Sequence, residues 1–171
     1  PYYAITQSSA IPVTSLQHTL SVYAKAAELT KFGLRLDDTG SSNTLVAGFD
    51  VAAGTVDVAA AGTGAVTGAT ASIVNVGEGW YRCIISGTWS SMAASRAIIR
   101  LRDASGNYGS FSGDGTSGMM FYGAQLEPGL IASPYTKTTT TYGSQPSTSI
   151  EQNYFLYSEQ MQLWNTPSNA S

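Results

Sequence analysis

Apolar and polar residues alternate at every second position in run after run of this chain, while helical spacing is nearly absent. Between Thr19 and Ala26, Leu20, Val22 and Ala24 point one way and Ser21, Tyr23 and Lys25 the other. Between Lys31 and Asp37, Phe32, Leu34 and Leu36 alternate with Lys31, Gly33 and Arg35. Leu45, Ala47 and Phe49 continue the pattern, and Trp80–Ser86, Arg96–Arg102 and Met119–Glu127 are three further runs. A side-chain period of two belongs to strands with one buried face. Ala24–Leu29 could wind into one helical turn, but it sits in a strand-like context. Turn-forming groups separate the runs: Asp37–Gly40, Ala53–Gly54, Gly62–Gly68, Gly77–Gly79, Ser105–Asn107 and Gly113–Gly115. Seven or more short strands punctuated in this way predict an all-β fold, an antiparallel β-sandwich or jelly roll with aromatic rings between its layers.

Such a fold needs a core, and 171 residues suffice for one compact domain with an appendage. The single cysteine, Cys83, rules out an internal disulfide, so the core has to hold the fold by itself. Charged residues are only 11% of the chain, and polarity comes from Thr, Ser, Gly and Asn instead. A net charge of −3 with 8 Lys and Arg gives no electrostatic footprint for nucleic acid. No apolar run reaches the ~20 residues that span a bilayer, so membrane insertion is not expected. No basic and apolar leader is visible. The chain opens at Pro1, and the expectation is a window cut from something longer.

Composition shifts after Pro134. The expected organisation is a β-sandwich module over 1–134, a Thr/Ser-rich linker over 135–149 and a strand segment over 150–171. The linker reads YTKTTTTYGSQPSTS, with four threonines in a row and few large apolar residues. Beyond it Ile150, Tyr154, Phe155, Leu156, Tyr157, Leu163 and Trp164 restore an apolar, strand-like pattern.

Four strings stand in a suggestive order: TLSVYAKA at 19–26, GEGWYRCI at 77–84, DGTSGMMFYGAQLE at 114–127 and ASPY at 132–135. Together they resemble the jelly-roll modules of phage tail-fibre and head-fibre proteins, which are themselves similar to β-sandwich carbohydrate-binding modules. The resemblance covers roughly residues 2–136. A module of that family usually opens with a segment like Tyr154–Ser171, which here stands at the C-terminus. The resemblance therefore implies either a tandem array or a C-terminal segment that completes the sheet of a neighbouring copy, and both arrangements polymerise head to tail. Calcium is the one ion the resemblance implies, at a structural site for which Asp103, Asp114 and Glu127 are the oxygen donors to inspect.

Motifs for catalysis are missing. His18 is the only histidine and shares the parity of Leu16 and Leu20, which suits a structural role better than a triad. Cys83 alternates with Tyr81 and Ile85 as a buried small hydrophobe would. Most acids, including Asp37, Asp38, Asp103 and Asp114, fall in turn-like strings, where carboxylates bond the local backbone. No metal-binding, nucleophile-elbow or phosphate-loop pattern occurs. Trp89, Tyr108 and Phe111 are the aromatic candidates for stacking on a sugar, read as lying in loops, with loop anchoring or a subunit contact as the competing role. Of Trp80 and Tyr81, at least one belongs to the core.

The expectation is thus a non-catalytic structural or adhesion module of a phage fibre or similar extracellular filament, displayed on a virion or cell surface. Its partner is another copy of itself. The alternatives are a module that attaches to cell-surface polysaccharide and an accessory binding module of a secreted glycosidase. No cofactor is expected apart from the calcium alternative.

Overall fold

The computed structural model describes residues 3–7, 16–38, 40, 42–90, 95–107, 114, 116–137, 143–144, 152–153 and 161–164. No helix occurs among them. The strands in chain order are β1 (Ala4–Gln7), β2 (Gln17–Ala26), β3 (Lys31–Asp38), β4 (Thr44–Asp50), β5 (Thr55–Thr63) and β6 (Val66–Gly77). They continue with β7 (Trp80–Trp89), β8 (Ser95–Leu101), β9 (Gly118–Pro128), β10 (Gly143–Ser144), β11 (Gln152–Asn153) and β12 (Met161–Trp164). The first sheet runs β1-β8-β3-β4-β5 and the second β12-β9-β2-β7-β6, with a separate β10-β11 pair. Every pairing is antiparallel. The two sheets pack as a β-sandwich.

The alternation read from the sequence decides which faces meet. Phe32, Leu34 and Leu36 of β3, Leu45, Ala47 and Phe49 of β4, and Ala97, Ile99 and Leu101 of β8 line the inner face of the first sheet. Leu20, Val22 and Ala24 of β2, Cys83 and Ile85 of β7, and Phe121, Ala124 and Leu126 of β9 line the second. Phe32 stacks on Phe49 within one sheet and meets Phe121 of the other edge-on, with ring centroids 5.4 and 5.0 Å apart. Burying each such side chain contributes roughly 1.5–3 kcal/mol, and aromatic pairs in these geometries add to that.

All six alternating runs are strands. Ala24–Ala26 completes β2 rather than starting a helical turn. β5 and β6 were not expected, because their residues are mostly Ala, Thr, Ser, Gly and Val and the contrast between faces is faint. Their inner faces nevertheless carry Val56, Ala60, Ala69, Ala71 and Ile73, which pack against the core. Gly77, Glu78 and Gly79 all have positive φ and form the tight turn from β6 into β7, as the Gly-rich string suggested. Asp37 corrects its turn assignment: it is the seventh residue of β3, fully buried, and bonded by Arg35 and Arg96.

Candidate functional site

Two long side chains of β9 hold the segment after that strand in place as a strap. Gly129 donates its N–H to Gln17 O at 2.8 Å, and its own carbonyl accepts from Thr19 Oγ1 at 2.9 Å. The chain then runs back over the outer face of the second sheet. Glu127, almost fully buried, accepts from the backbone N–H of Ser133 at 3.1 Å and from the Ser133 hydroxyl. Gln125 donates to Ser133 Oγ and Pro134 O and accepts from Thr136 N at 2.7 Å. Arg82 of β7 donates to Ser133 O at 2.6 Å and to Ser21 Oγ, while its guanidinium lies over the Tyr23 ring.

Tyr135 then closes the strap against Tyr23 and Tyr122, with centroids at 6.5 and 5.3 Å. It lies over Gly123, whose φ of 60° forms the irregularity where β9 shifts register against β2. Tyr135–Lys137, the start of the expected linker, is therefore tied to the sheet as far as Thr136. The strings GAQLE and ASPY, which carried part of the family resemblance, supply most of these contacts.

The C-terminal segment reaches the same sheet. Met161, Gln162, Leu163 and Trp164 of β12 pair with Phe121, Met120, Met119 and Gly118 of β9, adding a fifth strand. Of the candidate assembly residues, Leu163 and Trp164 thus lie on the edge of β9 in the chain's own sandwich. Ile150, Tyr154, Phe155, Leu156 and Tyr157 lie outside the described residues.

The sugar-stacking candidates separate. Trp89 is not in a loop: it ends β7 and is 0% exposed, so its indole offers no face to a ligand. The reason is its parity, which continues Cys83, Ile85 and Gly87 into the core opposite Val66 of β6. Tyr108 and Phe111 lie outside the described residues. Tyr81 packs against the core, and by alternation its neighbour Trp80 faces outward.

The three carboxylates that the resemblance offers for calcium, Asp103, Asp114 and Glu127, are each engaged by protein hydrogen-bond donors. Asp103 accepts from the backbone and side-chain nitrogens of Asn107, and these bonds lower its pKa. Asp114 accepts from the Ser117 side chain and from the backbone N–H groups of Ser117 and Thr116, which hold its carboxyl well below the usual range. Asp114 and Glu127 stand at opposite ends of β9, separated by roughly 30 Å of extended strand. Among the described residues no group of three metal-ligating side chains comes together.

His18 and Cys83 are core residues. His18 meets Trp89 edge-on at 5.8 Å, and among the described residues neither of its ring nitrogens has a hydrogen-bond partner. Burial lowers its pKa to about 4. Burial likewise pushes the Cys83 thiol up, so the thiolate nucleophile is disfavoured.

A feature that sequence reasoning missed lies on the outer face of the first sheet. Strand alternation brings Lys31, Arg35, Arg96, Arg100 and Arg102 to that face, five of the chain's eight cations, beside Asp37, Asp50 and Asp57. Lys31 bridges Asp50 and Asp57 at 3.5 Å each, and the buried Arg102 pairs with Asp57 across the small residue Gly48. Between Arg35 and Arg100, over Gly33, opens a cavity of about 240 Å³ walled by Val46 and Ile98. The signal in the sequence was the recurrence of Arg at alternate positions 96, 100 and 102 on one strand face, with glycines at 33 and 48 opposite. Compared with known proteins, the chain matches no protein-family model and no curated protein sequence.

Proposed function

We propose that this chain is a non-catalytic structural module of a fibre or extracellular filament, joined to its neighbour by exchange of its C-terminal strand. The supporting observation is β12. It occupies the edge of β9 in a defined register and stands beyond a long connection from the strap. A strand edge presents a row of backbone donors and acceptors, and the same strand from another copy satisfies them equally well. Exchange that is passed from copy to copy without closing builds a filament. The strap fits this role, because it fixes the point from which the connecting segment departs.

Paired cysteines test the exchange. Leu163 and Met119 are register partners, and facing residues of antiparallel strands lie within the Cα separation a disulfide requires. Oxidation of a Met119→Cys/Leu163→Cys variant of the assembled protein should give a covalent ladder of multimers on a non-reducing gel. A product that is entirely cross-linked within single chains would sink the exchange. Buried Cys83 does not compete.

A second reading, attachment to a surface polysaccharide, is favoured by the cavity between Arg35 and Arg100. Sugar C–H faces suit Val46 and Ile98, and sugar oxygens suit the guanidinium donors. Many weak sites along one fibre would add up to firm attachment. Glycan-array binding that disappears on Arg100→Ala supports this reading, and binding unchanged by that substitution removes the cavity from it.

A further inference from the structure

The cavity on the outer face of the first sheet has charged walls of one sign. Its lining among the described residues is Gly33, Arg35, Val46, Ile98 and Arg100: two guanidinium groups, two aliphatic side chains and no carboxylate. The register explains this. Gly33 and Arg100 are partners across β3 and β8, and Arg35 has Val46 on one side and Ile98 on the other. A residue without a side chain at 33 thus leaves a hollow between two arginines that strand alternation sends to the same face. The Arg35 guanidinium is fixed at the wall. Asp37, which is 0% exposed, accepts from Arg35 Nε at 2.7 Å and is clamped from the other side by Arg96. Arg35 Nη2 serves Asp37 and Thr44, and Nη1 makes no bond among the described residues. The next acid, Asp38, is occupied by Ser42 and Asn43. Five cations and three carboxylates share this sheet face, in a chain whose net charge is −3. A concave site lined by one sign of charge focuses its field on a ligand of the other sign.

We infer that this cavity binds one carboxylate-bearing sugar residue of an acidic polysaccharide, an inference that rests on the attachment reading above and names its ligand class. The carboxylate meets the guanidinium donors, which match its planar geometry and bind it more strongly than they bind a neutral hydroxyl. The C–H face of the ring packs on Val46 and Ile98, walls that a bare inorganic anion would leave unused. The volume of about 240 Å³ falls below the roughly 300–1,000 Å³ of sites for drug-sized ligands, so a single ring fits and an oligosaccharide does not. Because Asp37 already holds Arg35 in place, little side-chain freedom is lost there on binding. The site lies on the first sheet and does not depend on exchange of β12.

Titration of the full chain with a panel of uronic-acid oligosaccharides, each paired with its carboxyl-reduced counterpart, tests it. At least one acid should bind, and its reduced, neutral counterpart should bind roughly tenfold or more weakly. Arg100→Gln should remove that preference. If the reduced sugars bind as well as the acids and Arg100→Gln still abolishes binding, the attachment reading stands and the acidic assignment is overturned. If no oligosaccharide of either kind binds, both fall together. A preference for the acid that survives Arg100→Gln also overturns the assignment to this cavity. Should Arg100→Gln fail to fold, the wild-type chain decides by its methyl resonances. Those of Val46 and Ile98 should shift on addition of the bound acid, while those of Val74 and Val76 on the other sheet stay in place. No shift at Val46 and Ile98, or an equal shift with acetate alone, overturns the inference.

Discussion

Among the described residues, the sandwich is finished on its β9 side by a strap held through long polar side chains, and on its β6 side by short local bonds, Thr70 with Ser86, Asn75 with Tyr81 and Gly77 with Asn75. The β9 side carries the strap. There Glu127, Gln125 and Arg82 hold Ser133, Pro134 and Thr136, and three tyrosines close over a positive-φ glycine. The β6 side is a long strand of small residues whose inner face contributes only Ala69, Ala71 and Ile73, beyond its buried first residue Val66. A buried acceptor such as Glu127 permits one arrangement, because leaving its partners unmade is costly. An edge of Thr, Ser, Ala and Val permits several. The difference teaches that long hydrogen-bonding side chains fix one arrangement of a segment across the sheet, whereas short uncharged ones leave a strand held mainly by its backbone ladder.

The comparison can be broken most forcefully under the β6 side. Trp89 anchors the start of that strand through Val66, and Trp89→Ala should cost about 4 kcal/mol in chemical denaturation, as truncation of a buried Trp usually does. A stable Trp89→Ala protein that has lost only ligand binding would return the residue to a surface role. Next in size is a pH effect. In the unfolded chain His18 titrates near 6.5, whereas burial brings it to about 4 in the fold. Above 6.5 both states are neutral and nothing is lost. As the pH falls from 6.5 to 4, the unfolded chain takes a proton that the folded chain refuses. Stability therefore declines, by about 3 kcal/mol once the pH is below 4. With one histidine in the chain, His18→Phe should flatten the stability profile between pH 6.5 and 4.5, and a slope that persists would place the proton uptake elsewhere.

On the strap side, Glu127→Ala leaves two Ser133 donors without their acceptor and should lower stability by about 2 kcal/mol. It should also speed amide exchange over 129–137, and unchanged exchange there would mean the strap is held by its tyrosines alone. Gly123→Ala forces a side chain into positive φ beneath Tyr23 and Tyr135 and should cost about 1–2 kcal/mol in thermal unfolding. The smallest stability effect belongs to the β6 side. Ser72→Ala should change unfolding by no more than about 0.5 kcal/mol, and a larger loss would show that β6 is held by contacts of its outer face.

Much of the fold was legible because large apolar residues repeat with period two, and that period has one structural meaning. The runs led by Leu20, Phe32, Leu45, Cys83, Ile99 and Phe121 became strands with those residues inside. β5 and β6 escaped notice because alanine and glycine carry too little contrast to mark a face. Trp89 was misplaced for a related reason: the serines after it suggest a loop, yet its parity with Cys83 and Ile85 already pointed inward. The strap was invisible because Gln125–Ser133 and Arg82–Ser133 join residues whose relation exists only after the sheet has formed. The same holds for the cavity, since Arg35 and Arg100 are far apart in the chain and meet only through the pairing of β3 with β8.

By itself the sequence determined the fold class, the direction of nearly every core side chain, and the shortage of charge along β5 and β6. These depend on residue type and on spacing within a single strand. Only the tertiary structure decided which edges are covered, which carboxylates serve the backbone rather than an ion, and which aromatics face water. Those outcomes depend on strand order and register, and strand order joins residues through backbone hydrogen bonds that are chemically alike along every strand.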